Sequence, residues 1–449
     1  MSVNQNSGSK KGLMIAAPHS GSGKTLISLA LLRALKQAGV DICAAKAGPD
    51  YIDPAFHELS SGRSSVNLDP WAMSPQRCRY LAERQATGQS GQQGFLLVES
   101  MMGLFDGAMD GTGSGADLAR ALAIPVVLVV DAAKQSHSIA ALVRGFRDHD
   151  HSIRISGVIL NRVGSERHET MLRQALGDID VRVLGAVRRN LKLKLPERHL
   201  GLVQATEINA IEDFIQNAAN QIAGECDLDL VSRCFHPIQP PETQAVKNAE
   251  GVMAPPGQNI AIASDQAFSF IYPHLLSDWR NQGAQVSFFS PLANEGPALD
   301  ADAVFLPGGY PELHAAKLSN SNNFRSQMEK ARSRHSLIYG ECGGYMVLGK
   351  GLIDKDGIHH RMLGLLELET SFEKRKLHLG YRKLDPCHSF FAGQSLNAHE
   401  FHYTSVVKQN GTPLFRAKDA CNNPLSDHGL CDGKVMGSFM HLINGRVSN

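Results

Sequence analysis

The feature that most constrains this chain is an apolar strand that runs without pause into a glycine-rich loop and then into a helix. Residues 12–17 are followed by Pro18-His19-Ser20-Gly21-Ser22-Gly23-Lys24-Thr25, then by an amphipathic stretch, 26–38, that Gly39 stops. From Gly23 onward this satisfies the phosphate-loop pattern G-x-x-x-x-G-K-[ST], with Pro18 standing where its first glycine belongs. Across Gly21, Ser22 and Gly23 the backbone N–H groups can curl around phosphate oxygens, and the helix start adds its dipole. Lys24 then reaches the β- and γ-phosphates of ATP, and the Thr25 hydroxyl offers a ligand to Mg2+. His19, in the second position of the loop, replaces the signature lysine of dimerising partition-type ATPases, which argues for an enzyme that uses the γ-phosphate on its own substrate.

Such a loop needs a parallel sheet around it, and the chain supplies one. Residues 42–47, 95–98, 126–130 and 155–160 read as further strands buried on both faces, alternating with helical patterns, which implies a doubly wound α/β domain. Residues 235–257 then hold five prolines and little periodicity and read as a linker. Strand-like runs resume at 260–263, 286–289, 303–306 and 337–339, so the boundary falls near 245 and separates domains 1–244 and 245–449. For 449 residues, at roughly 150 per domain, two or three domains are expected.

Composition narrows the partners. Lys plus Arg number 45 against 44 Asp plus Glu, a formal net charge of +1, which removes the electrostatic motive for nucleic acid or an anionic membrane. None of the eight cysteines forms a C-x-x-C pair, which weakens zinc and dithiol readings and suits reduced thiols. The longest apolar run, 124–130, is far short of the roughly 20 residues of a membrane span, and the polar residues 1–11 lack the apolar core of a secretion signal. A soluble, cytoplasmic protein is the expectation.

Acids gather after the strands. Strand 42–47 carries Lys46 and leads to Asp50 and Asp53; strand 95–98 delivers Glu99, with Asp106 seven residues on; Val130 delivers Asp131. Carboxyl ends of strands are where open α/β sheets bind ligands, and acids there can hold Mg2+ through oxygen. Asp131 fits a helix cap as well as a supporting position behind the metal. Asn161, after 155–160, stands where many such NTPases contact the base, although a strand-end cap is an equal reading.

In the second half, Gly340-Glu341-Cys342-Gly343-Gly344 follows a strand and precedes an apolar helical pattern: a G-x-C-x-G elbow that exposes a thiol at the top of a sheet, beside a helix start that favours thiolate. The Gly343 N–H is placed to hold an oxyanion, with a second donor from Gly309 in Pro307-Gly308-Gly309-Tyr310. The other seven cysteines read as buried small hydrophobes. His441 is the preferred base, ending the run 435–440 expected to be the last strand; His399 and His402 compete. Triad-type glutaminases usually place a Glu two residues beyond the His, and here Ile443 stands there, so the third member is missing or comes from elsewhere.

Taken together, KAGPDYIDPAFH, VESMMGLFDG, LPGGYPE, YGECGGYM and HEFHY, with the phosphate loop, make the chain similar to the a,c-diamide synthases of cobalamin biosynthesis. The resemblance implies a dethiobiotin-synthetase-like P-loop domain followed by a class I, triad-type glutamine amidotransferase domain. It implies ATP and L-glutamine as substrates, Mg2+ as cofactor held by Thr25, Asp50 and Glu99, a corrinoid substrate, and a homodimer. The residues themselves place ATP on Gly21 to Thr25, Lys46 and Asn161, and the resemblance places the acids of the synthetase site on Asp50, Asp53, Glu99 and Asp106, the nucleophile on Cys342 and the assisting base on His441. Ser100 replaces the usual Gly of VEG, Ala398 the Gly of GHEFHY, and Ile443 the second His of HLH. The stretch from Asn67 to Met73 resembles enzymes of the aerobic, late-cobalt route and points to hydrogenobyrinic rather than cobyrinic acid. Two rivals follow: cobyric acid synthase, which lacks the KAGPDYIDP string, and a partition ATPase with an inert glutaminase-like tail.

Overall fold

A computed structural model of the chain describes residues 10–87, 94–193, 197–198, 201–202, 210–242, 251–391 and 393–446. The chain forms two compact units, Met1–Ala249 and Glu250–Asn449. The boundary near 245 and the middle of the proline-rich stretch lie outside the described residues. No described helix is long and apolar enough to cross a membrane.

The first unit is built on β1 (Lys11–Ala16), β2 (Ile42–Ala47), β3 (Val66–Leu68), β4 (Phe95–Glu99), β5 (Val126–Asp131), β6 (Ile155–Val163) and β7 (Val183–Arg188). They lie in the order β3-β2-β4-β1-β5-β6-β7, all parallel, with His236–Pro237 adding a short antiparallel pairing to β1. β2 to β4 therefore lie on one side of β1 and β5 to β7 on the other, which makes the carboxyl end of β1 a topological switch point. Leu13, Ile15, Leu97, Val127 and Ile159 are buried beneath Ile27 and Leu31 of α1 (Lys24–Gln37) and Ile222 of α3 (Ile211–Glu225). α2 (Asp53–Ser61) follows β2. The sequence reading passed over β3, which has only three residues, and β7, which Gly185 interrupts.

In the second unit, β8 (Asn259–Ala263), β9 (Gln285–Phe289), β10 (Ala303–Leu306), β11 (Leu337–Glu341), β15 (Leu430–Asp432) and β16 (Val435–Ser438) form a sheet in the order β9-β8-β10-β11-β16-β15, antiparallel only at β15. β11 leads into a six-residue helix, α4 (Gly343–Leu348). An antiparallel sheet of β12 (His378–Pro386), β13 (Ser395–His402), β14 (Phe415–Lys418) and β17 (Met440–Arg446) has the order β14-β12-β13-β17. A third sheet joins His359–Arg361, Gly351–Ile353, Leu368–Ser371 and Ser405–Gln409.

The strand-like run 286–289 is the edge strand β9, with Phe288 exposed. The expectation for 435–440 needs correction: it is not the last strand. β16 stops at Ser438, whose Oγ accepts from the Met440 amide at 3.2 Å, and after Phe439 the chain enters β17 of a different sheet, with His441 as its second residue. The hydroxyl at Ser438 satisfies an amide that a continuous ladder would have used, so the chain turns there.

Candidate active sites

Gly21 and Gly23 adopt φ of +79° and +91°, the left-handed conformation that lets the loop curl before Lys24 opens α1. A Cβ at Gly23 would stand 2.2 Å from Asn161 Nδ2, whose amide donates to the Ser22 carbonyl at 2.9 Å. Asn161, buried at the end of β6, thus pins the loop. It also lines a cleft of about 960 Å3 together with Gly21, Gly23, Lys24, Thr25 and Asp131. Asp131 accepts from the Ala133 amide at 3.0 Å and pairs with Arg162 at 2.5 Å.

Behind the loop lies a buried ionic network. Lys46 Nζ is 2.5 Å from Asp53 Oδ2 and 3.0 Å from Glu99 Oε1. Thr25 Oγ1 donates to Glu99 Oε1 at 2.7 Å, and His57 Nε2 meets Glu99 Oε2 at 2.7 Å. Asp50 Oδ1 accepts the Ile52 amide at 2.7 Å and the Asp53 amide at 3.3 Å, opening α2; Asp106 Oδ2 accepts from the Gly103 amide at 2.8 Å. Lys24 Nζ donates to the Met102 carbonyl. Burial pushes the Glu99 carboxyl up, yet the Lys46 ammonium, His57 and Thr25 outweigh it and hold Glu99 well below the carboxylate range. Burial, then Asp50, push Asp53 the other way, so the two acids that share Lys46 are shifted in opposite directions. Burial likewise opposes the charge on Lys46, but Asp53 and Glu99 hold its ammonium well above the ordinary value. At Lys24 burial prevails over Glu99, and the ammonium falls to about 8. Side-by-side hydroxyl and carboxylate oxygens at Thr25 and Glu99 form a hard donor set that suits Mg2+.

At the thiol, Cys342 adopts φ 46°, ψ −104°, a strained conformation for a side-chain-bearing residue. A Cβ at Gly308 would stand 2.4 Å from His441 Cε1 and 3.3 Å from Cys342 Cβ, so imidazole and thiol flank one glycine. A Cβ at Gly343 would lie 3.1 Å from the Gly309 nitrogen, which brings the two expected oxyanion donors together. The elbow does not expose its sulfur, contrary to expectation. Cys342 is 3% exposed and its Sγ lies 3.9 Å from the Phe401 carbonyl of β13. Burial, with Glu312 adding to it, pushes the thiol well above its ordinary value and outweighs the Gly343 amide, which pulls the other way. Burial also drives His441, 1% exposed, down to about 3. The resting pair is therefore neutral thiol and neutral imidazole.

The competing histidines have other neighbours. His399 pairs in register with His441, while His402 stacks on Phe439 and meets Glu400 Oε1 at 3.2 Å. Arg382 is tied to Glu400 at 2.6 Å. Cys387 and Cys421 are exposed and Cys431 is half-buried, not buried as expected; the segments that carry the first two lie outside the cores. Sequence reasoning missed His57 and Glu341. Asp53 and His57 stand four residues apart at the start of α2, a spacing that puts both on one helix face and marks His57. Glu341 had no comparable signal, since its neighbour His441 lies a hundred residues away.

A nucleotide-binding domain model (CobQ/CobB/MinD/ParA) matches residues 13–203, and a CobB/CobQ-like glutamine amidotransferase domain model matches residues 259–447. A hydrogenobyrinate a,c-diamide synthase of Rhizobium meliloti is 54% identical over 434 residues, 96% of this chain and 99% of the relative. This chain belongs to the hydrogenobyrinate a,c-diamide synthase family. Other members named as such include that of Brucella abortus, 54% identical over 97% of this chain and 98% of the relative, and that of Rhodobacter capsulatus, 46% identical over 97% and 99%. A glutamine amidotransferase from Thermotoga maritima aligns over 41% of this chain and 75% of that one, at 14% identity and a TM-score of 0.29, too distant to carry weight. Like the family, the chain joins a P-loop unit with a parallel sheet to a glutamine amidotransferase unit, an architecture for glutamine-dependent amide formation.

Proposed function

We propose that this chain converts the a and c acetate carboxylates of hydrogenobyrinic acid to amides, using ATP and glutamine, as a cytoplasmic homodimer. What carries the reading is full-length similarity to relatives of that name, in a chain whose two units present a phosphate loop and a thiol beside a histidine.

In the second unit, Cys342 passes its proton to His441 as sulfur attacks the glutamine amide carbon. The Gly309 and Gly343 N–H groups hold the oxyanion, the proton goes on to the leaving nitrogen, and ammonia departs from a thioester that water cleaves to glutamate. Because burial keeps the resting thiol neutral, sulfur becomes nucleophilic only as its proton passes to His441. In the first unit, the loop amides of Gly21 to Gly23 and Lys24 grip the triphosphate, Asn161 keeps the loop in shape, and Lys46 stands behind Glu99 and Asp53. The substrate carboxylate takes the γ-phosphoryl group and releases ADP; ammonia then attacks the acyl carbon and phosphate leaves. Mg2+, held by Thr25, Asp50 and Glu99, would neutralise phosphate charge when bound.

Mass spectrometry of hydrogenobyrinic acid incubated with protein, ATP, Mg2+ and glutamine tests this, with expected gain of two amides. Cys342→Ala should lose synthesis from glutamine and keep it from ammonium salts. Retained use of glutamine would remove the nucleophile assignment, and amidation of the cobalt form in preference would replace the substrate.

A further inference from the structure

A histidine that shuttles a proton needs a group to hold its ring, and the place two residues beyond His441 is taken by Ile443. We propose that Glu341, the residue immediately before the nucleophile, is the positioning carboxylate of His441; this rests on the glutaminase reading above. Its Oε2 lies 3.8 Å from His441 Nδ1. Its Oε1 accepts from the Leu442 amide at 3.1 Å and from the Tyr339 hydroxyl at 3.2 Å, so the carboxyl is tied to the backbone next to the histidine it faces. Successive side chains of a strand point to opposite faces, and a carboxylate and thiol in adjacent positions would ordinarily diverge. The left-handed φ of Cys342 breaks that alternation: Glu341 faces the His441 imidazole, while the Cys342 Cβ and the edge of that ring border the same glycine, Gly308.

Pairing holds the arrangement. Glu341 is in register with Ser438 of β16, and the Cys342 amide donates to the Ser438 carbonyl at 2.8 Å. The turn at Ser438 then delivers His441 two residues into β17. At 3.8 Å the two groups do not share a hydrogen bond at rest. Contact tightens when the imidazole takes the thiol proton and becomes a cation, since catalytic contacts are often long before substrate arrives.

Glu341 is 2% exposed and borders a cavity of about 50 Å3 beside Trp279 and Phe305. Burial lifts its acid to about 8, with the Leu442 amide and Tyr339 pulling back. The titratable groups around it are Tyr339 on β11 and Cys342 beside it, His441 on β17, and His399 and His402 on β13, which act on His441; Glu312 and Glu400 act on the thiol. The thiol is shifted far upward and His441 down to about 3, so of the three side chains in the relay Glu341 is the one that titrates near pH 8.

The test is glutamate release by the full-length enzyme, which bypasses the Lys24 side of the reaction. Wild-type kcat should rise with pH through about 8 as Glu341 ionises. Glu341→Gln should lower kcat by roughly 100-fold or more, leave KM for glutamine little changed and abolish that rise, the scale of other general-base losses. Ammonium-dependent amidation should stay at the wild-type rate, and Glu341→Asp should recover part of kcat together with the pH limb. A wild-type kcat and pH profile in Glu341→Gln overturns the proposal. So does an equal loss with glutamine and ammonium, the mark of a disturbed fold. If instead Cys342→Ala still consumes glutamine, it is the glutaminase reading that fails.

Discussion

Lys46 is the cation on which the buried acids Asp53 and Glu99 depend, and replacing it by methionine removes the charge while keeping most of the volume. The ammonium stands 2.5 Å from Asp53 and 3.0 Å from Glu99, with all three side chains buried. Removing one partner of a buried ion pair costs about 3–5 kcal/mol. For a unit of this size each kcal/mol moves the midpoint by about 2–4 °C, so Lys46→Met should melt the first unit roughly 6–20 °C lower. The low end is favoured because Asp53 is already pushed towards its neutral form, so part of the stranded charge is relieved by a proton. Glu99 is held below its unfolded value and stabilises the fold above that value, about 4.3, a contribution lost as pH falls through the folded one. The gap between wild type and Lys46→Met should therefore be widest near neutrality and narrow in acid. Scanning calorimetry of the full chain reads it, with the second unit's transition as internal reference. The triple variant Lys46→Met/Asp53→Asn/Glu99→Gln should recover most of the lost stability, since neutral partners no longer strand charge. A single variant that melts with wild type near neutrality, or a triple below the single, would refute the reasoning.

Other expectations are more direct. With Lys24 lowered to about 8, nucleotide affinity should fall as pH rises through that value, and Lys24→Arg should flatten the profile in a fluorescent-nucleotide titration. Gly308→Ala puts a methyl 2.4 Å from His441 Cε1; it should cripple glutamine-dependent synthesis, spare the ammonium-dependent reaction and cost about 1–3 kcal/mol by overpacking, read by denaturant unfolding. Gly23→Ala, at φ +91° and 2.2 Å from Asn161 Nδ2, should abolish nucleotide binding by the same titration.

What could be read from the chain was local. A strand, a loop of glycines and Lys24-Thr25 occupy fourteen consecutive positions, residues 12–25, and backbone sterics alone make them a phosphate cradle. The elbow around Cys342 is legible for the same reason, as are strands β2 and β10, short, nearly continuous apolar runs buried on both faces. Antiparallel sheets were not, because β12 and β13 mix charged and apolar residues without clean alternation.

Linear order settled which chemical groups each half brings and the backbone shape that presents them, because those depend on neighbours a few residues apart. Tertiary structure alone decided which of those groups meet. Glu99 reaches His57 only because β4 lies beside β2, against which α2 packs, and Glu341 reaches His441 only because β16 and β17 belong to different sheets. It also decided that the Cys342 sulfur rests covered and protonated, since desolvation is a property of everything packed around an atom and leaves no mark on the residues beside it in the chain.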